Sequence, residues 1–137
     1  MASELFERGL QNRKEVLGAA HVERSLAGAD DFSRPYQELV TEFCWGAIWG
    51  RPGLPRKTRS LLNLAMLTAL NREEEFKLHV RAAFRNGVTK EEICEVMIQV
   101  GHYAGWPAIA HAILQFEEVL KEDAAKAKTK RAAGKRR

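Results

Sequence analysis

Apolar residues recur along this chain at spacings of three and four, and no stretch alternates apolar with polar positions long enough to predict a strand. Residues 3–17 carry Leu5, Phe6, Leu10, Val16 and Leu17 in a loose amphipathic pattern. The stretch "GAAHVERSLAGADD" reads as an irregular connection. A second helix is expected from an N-cap at Ser33 to about Trp49, burying Tyr36, Leu39, Val40, Phe43 and Ala47. The turn "GRPGLPRK" then sets Pro55 at the start of a third helix, over about 55–70. Its run "LLNLAMLTAL" is apolar nearly all round, which predicts burial on several sides and, in so short a chain, packing against another subunit.

A fourth helix carries the stripe Phe76, Val80, Ala83 and Phe84 and stops at Asn86-Gly87. Thr89 with Glu92 three residues on predicts a capping box, opening a fifth helix that buries Ile93, Val96, Met97 and Val100. Gly105 and Pro107 in "YAGWPA" interrupt it. A last helix shows Ile109, Ile113, Phe116 and Leu120 on one face. The pattern predicts an all-α domain of six helices over residues 1–125. The segment 126–137, "KAKTKRAAGKRR", has little to bury and is expected to be a disordered basic tail.

Charge changes this picture in one respect. The chain is net +4, but its last twelve residues hold seven basic residues and no acid. That leaves 15 basic against 18 acidic residues in the rest, so the helical domain is mildly acidic. The tail has the charge to neutralise phosphates but no aromatic residue to stack on bases, and nucleic acid is not the expected partner. No apolar run approaches the roughly 20 residues of a membrane span, and the start of the chain has no apolar leader. Cys44 and Cys94 stand 50 residues apart, neither a CxxC pair nor a metal knuckle. Free thiols in such a chain point to the cytoplasm.

The candidate chemistry gathers on the fourth helix. Arg72, Glu75 and His79 lie along one margin of its apolar stripe. Glu75 and His79, at i and i+4, are within side-chain reach. A carboxylate there is expected to orient the imidazole and raise its pKa, making an acid/base pair. A single histidine is a poor zinc site, and neither metal nor cofactor is expected. A surface pair that merely supports the helix remains open. His21 lies in the polar connection, where functional residues gather. Tyr103 shares a face with Val96 and Val100, which makes core packing its default and a pocket-facing hydroxyl the alternative. Arg51, Arg56, Lys57 and Arg59 crowd a helix start, where the dipole favours anions instead. A bound carboxylate would relieve that conflict.

The run from "RPGLPRKTRSLLNLAMLTALNREEEFKLHVRAAFRNG" to "GHYAGWPAIAHA", with "VLGAAHVERSL" and "FCWGAIWGRPGL" upstream, resembles the carboxymuconolactone decarboxylase family over roughly residues 5–120. The family is all-helical and similar to alkylhydroperoxidase-like proteins, which place a CxxC pair seven and four residues before a histidine. Counted back from His79, those positions are Arg72 and Glu75, so both thiols are absent. The resemblance implies that Glu75 and His79 occupy the catalytic site. It implies cofactor-independent decarboxylation of 4-carboxymuconolactone, a small dicarboxylate lactone, to β-ketoadipate enol-lactone in aromatic (protocatechuate) catabolism, by a homo-oligomer that is commonly a hexamer. In that reading protonated His79 stabilises or protonates the intermediate and Glu75 orients it. Arg51 and Arg59 bind the retained carboxylate, and His21 and Tyr103 supply hydrogen bonds or a proton. Two other functions are compatible with the residues: a thiol-dependent peroxidase of the same fold using Cys44 and Cys94, and a helical interaction module with a basic tail.

Overall fold

The computed structural model describes residues 2–136, and among them it contains seven helices and no strand. They are α1 (Glu4–Leu17), α2 (Ala19–Ala27), α3 (Arg34–Leu39), which continues as a π-helix (Val40–Ile48), α4 (Arg56–Ala69), α5 (Glu73–Arg85), α6 (Lys90–Ala104) and α7 (Trp106–Gly134). The all-α class expected from the periodicity is therefore present, with one helix more than the pattern suggested. The addition is α2, inside the stretch read as an irregular connection. Gly18, at φ 89°, ends α1, and the good helix formers Ala19 and Ala20 restart the chain at once. The short helix buries Val22, which is too little apolar periodicity to announce itself.

The contacts group into two compact units, residues 1–62 with 82–88 and residues 63–81 with 89–137. In the first, α1 packs on the π-helix at backbone distance. A Cβ on Gly9 would stand 2.0 Å from the Thr41 carbonyl oxygen, and one on Gly46 would stand 2.5 Å from that of Leu5. Asn12 secures the contact by donating to the Trp45 carbonyl at 2.9 Å. Trp45 and Trp49 stack with ring centroids 5.0 Å apart, beside a core that includes Val16, Leu17 and Val22.

Two expectations fail in this region. Ser33 does not cap α3 with its side chain; its hydroxyl donates to Asp30 Oδ1 at 2.8 Å and closes a local turn instead. The stripe Tyr36, Leu39, Phe43 expected to be buried is exposed, and Thr41, Trp45, Gly46 and Trp49 are buried in its place. α3 itself buries none of its residues. Beyond it the hydrogen-bond step changes: Trp49 N–H bonds the Cys44 carbonyl, five residues back, so within Val40–Ile48 a stripe drawn at α-helical spacing leaves the core-facing side.

In the second unit Leu64, Phe76, Val80, Ile93, Met97, Val100, Ala112, Phe116 and Val119 are buried. α6 begins with the expected capping box: Thr89 Oγ1 accepts from Glu92 N–H at 3.1 Å and Glu92 Oε2 accepts from Thr89 N–H at 2.8 Å. Gly101 lets α7 close on α6, because a Cβ there would meet the Trp106 ring at 2.6 Å. The buried face of α7 is Ala112, Gln115, Phe116 and Val119, rotated from the expected one; Ile113 is exposed. Ion pairs tie α5 to α7, with Lys77 to Glu118 at 2.5 Å and Arg81 to Glu122 and Asp123 at 2.6 and 3.0 Å. Where composition led to an expectation of disorder, α7 runs on as helix to Gly134, its side chains exposed from Lys121 onward. Alanine, lysine and arginine all have high helix propensity, which suits a helix with nothing to bury. No helix among the described residues is long and apolar enough to cross a membrane.

Candidate active site

α5 opens with Glu73, Glu74 and Glu75 in its first turn, where the helix dipole favours acids. One turn later it places His79 beside its buried residues Phe76 and Val80. Burial decides the state of this histidine. Loss of water pushes His79 down to about 4, and the Glu75 charge, which acts in the opposite direction, does not offset it. Glu75 does act in the expected direction, but burial outweighs it, so the net shift is downward and His79 is neutral near pH 7. Glu75 itself is exposed, so water screens its field.

A second residue bears on His79 that the sequence reading passed over. Asn63 of α4 places its side-chain amide Nδ2 3.4 Å from His79 Nδ1. With the amide in that orientation it can only donate, so Nδ1 accepts and the imidazole proton sits on Nε2. The ring is thereby set up as a neutral N–H donor. Asn63 was visible as the one strongly polar side chain in "LLNLAMLTAL". Tyr103 does not pack in the core; it is 82% exposed and meets His102 edge-on at 5.1 Å.

The remaining candidates belong to the first unit. His21, half-buried on the first turn of α2, is shifted down by burial and then by the charges of Arg13, Arg24 and Arg85. The cations of the proline turn separate by partner. Arg56 is committed to Glu15 at 2.5 Å and to Asn12 at 2.8 Å. Arg51 is exposed, and Arg59 Nη2 donates to the Arg51 carbonyl at 3.3 Å while its buried Nε has no hydrogen-bond partner. Both thiols are free, Cys94 exposed and Cys44 half-buried with its thiol pushed up by burial. That shift leaves little thiolate at Cys44, which weakens a peroxidase reading. Among the described residues no three His, Cys, Asp or Glu side chains are grouped to hold a metal ion.

An all-helical unit that carries a neutral, half-buried histidine on an acid-opened helix suits chemistry in which a donor meets developing negative charge. The comparisons narrow this class. Residues 34–118 match the model of the carboxymuconolactone decarboxylase family. The chain is 49% identical to a 4-carboxymuconolactone decarboxylase of Acinetobacter baylyi, over 85% of this chain and 87% of the relative. It is 42% identical to a nitrosuccinic acid decarboxylase of Metarhizium robertsii, over 93% of this chain and 89% of the relative. This chain belongs to the carboxymuconolactone decarboxylase family.

Proposed function

We propose that this protein is a cofactor-independent carboxy-lyase that converts 4-carboxymuconolactone to β-ketoadipate enol-lactone in aromatic-compound catabolism. The chemistry needs no added electron sink. The bond from the ring carbon to its carboxylate breaks, carbon dioxide leaves, and the electron pair spreads through the unsaturated lactone to the carbonyl oxygen. A proton then adds to the carbon beside that carbonyl. The observation that carries the reading at residue level is the neutral His79 held by Asn63, whose Nε2–H suits hydrogen bonding to the developing dienolate oxygen. A neutral imidazole keeps its proton on nitrogen, so the proton that reaches carbon comes from another acid, with Tyr103 as the candidate; His21, also shifted down, is left to hydrogen bonding. Arg51 and Arg59 are proposed to hold carboxylate oxygens.

The substrates named for the two relatives share an anatomy. Nitrosuccinic acid and 4-carboxymuconolactone both carry a carboxylate on a carbon attached to an electron sink, a nitro group in one and an unsaturated lactone in the other. Both also keep a neighbouring CH2-carboxylate. This chain is proposed to recognise that unit and to prefer the lactone. The assembly is proposed to be a homo-oligomer, because Leu62 and Met66 on α4 and Leu70 just after it form an exposed apolar line; a hexamer is what membership of the family suggests. Two free thiols fit the cytoplasm. Residues 1–125 are taken as the catalytic part and 126–137 as dispensable for it.

The test is carbon dioxide release by the full chain from freshly generated 4-carboxymuconolactone and, separately, from nitrosuccinate. Faster turnover of the lactone supports the reading, and faster turnover of nitrosuccinate reassigns the substrate. Release from neither, by folded protein, ends the decarboxylase reading. Light scattering that finds only monomer removes the proposed assembly.

A further inference from the structure

Positive charge collects at the joint of α1 and α2 without an acid to answer it. Arg13 lies in the middle of the buried face of α1, and its neighbours one turn away are Gly9, Leu10, Val16 and Leu17. It is 6% exposed. Its Nη1 donates to Thr41 Oγ1 at 2.9 Å, and its Nε is buried without a hydrogen-bond partner. The groups whose charge bears on it are Tyr36 and Cys44, not a carboxylate. Nearby acids are engaged elsewhere, Glu15 by Arg56 and Glu23 by Lys14.

Two further features share this joint. Arg85, at the end of α5, donates to the Val16 carbonyl at 3.5 Å and stands over Gly18, where a Cβ would come within 3.0 Å of its Nη2. Immediately after Gly18, α2 starts with no side chain capping its first-turn amides. His21 lies in that turn, within the field of Arg13, Arg24 and Arg85. A buried guanidinium without a counter-charge is costly, and an uncapped helix start directly after Gly18, over which Arg85 stands, is suited to an anion.

We infer that the α1–α2 joint is a carboxylate-binding site, in which Arg13, Arg85 and the first turn of α2 around His21 take a carboxylate of a small dicarboxylate. The identity of the ligand as substrate rests on the decarboxylase reading; the presence of the site does not. Arginine at two approaches favours a planar carboxylate, which it can meet with paired N–H groups.

The experiment measures the thermal midpoint of the full chain against rising succinate, with sodium chloride at equal ionic strength as control, alongside steady-state kinetics on 4-carboxymuconolactone. Wild type is expected to gain stability with succinate and not with chloride. Arg13→Met and Arg85→Gln are each expected to reduce that gain and to raise KM by about 10- to 100-fold, the worth of a charge-assisted hydrogen bond, with kcat little changed. Arg13→Met is expected to keep its ligand-free midpoint, since it removes an unpaired buried charge. Arg85 is exposed, so its variant keeps the test open should Arg13→Met fail to fold. An Arg13- and Arg85-dependent succinate response without any turnover by wild type keeps the site and removes the decarboxylase reading. Turnover with an unmoved KM and an unaltered succinate response in the folded variants removes the site and keeps the reading. Absence of a succinate response in wild type also overturns the site.

Discussion

His21 and His79 are both held below the ordinary imidazole range, yet their surroundings have little else in common. His79 is driven down by burial against the pull of an acid, Glu75. His21 is driven down by burial together with three arginines. The first environment favours a neutral ring, which can donate a hydrogen bond without the cost of a buried cation. The second repels a proton because it is already crowded with positive charge, and it attracts an anion for the same reason. The proposed roles therefore differ: a neutral donor for His79 and a part in anion capture for His21. The sign of the surrounding field, more than the direction of the pKa shift, separates the two roles.

Substitution should break this comparison most sharply at the chemical step. His79→Ala is expected to lower kcat for carbon dioxide release by about 10²- to 10³-fold, the usual worth of one oxyanion donor. His21→Ala is expected to raise KM with a far smaller change in kcat. Equal losses of kcat in both variants would mean that the division of roles is wrong.

Acid titration should separate the two regions next. His79 has its folded pKa at about 4, below the ordinary 6.5, so at neutral pH both folded and unfolded chains leave it uncharged. As pH falls through 6.5 the unfolded chain takes up a proton that the folded chain refuses. The stability lost by pH 4 is on the order of 3 kcal/mol from this residue. His79→Gln should remove that part of the acid sensitivity in denaturant titrations, while His21→Gln should leave it. An acid limb of kcat/KM set by His79 falls near pH 4; a limb near 6.5 that disappears in His79→Gln would contradict the neutral-imidazole assignment.

Smaller effects should come from the residues behind His79. Asn63→Leu removes the amide that fixes the tautomer and is expected to cut kcat about tenfold, with the fold retained. Glu75→Gln should have the least effect of the series, since Glu75 is exposed and already outweighed. It should move the acid limb further down, because the Glu75 charge raises the His79 pKa. An upward movement would require some other group to set that limb.

The parts of the fold that the sequence made legible are those written in local chemistry. Thr89 and Glu92 announce the start of α6, and Asn86-Gly87, with φ 86° at Gly87, marks the end of α5. The π-helix was hidden because a template of 3.6 residues assigns the wrong face once the hydrogen bonds step by five. The helix that carries His79 is legible from its apolar stripe, but the charge state of His79 is not. The spacing to Glu75 is visible in the sequence, whereas the burial that outweighs it depends on tertiary packing. Arg13 left a signal that went unused. A cation whose i±3 and i±4 neighbours are Gly9, Leu10, Val16 and Leu17 cannot face water on a helix that buries that stripe.

The π-helical stretch Val40–Ile48 makes this domain more tolerant of a loss in length at one place. A π-helix fits an extra residue into the span of an α-helix, so removing one residue there lets the segment relax to α-helix with its flanks close to their former faces. The same deletion inside a regular helix would turn everything beyond it by about 100°. A lineage can therefore shorten the chain by one codon within this segment at less cost than elsewhere in its helices.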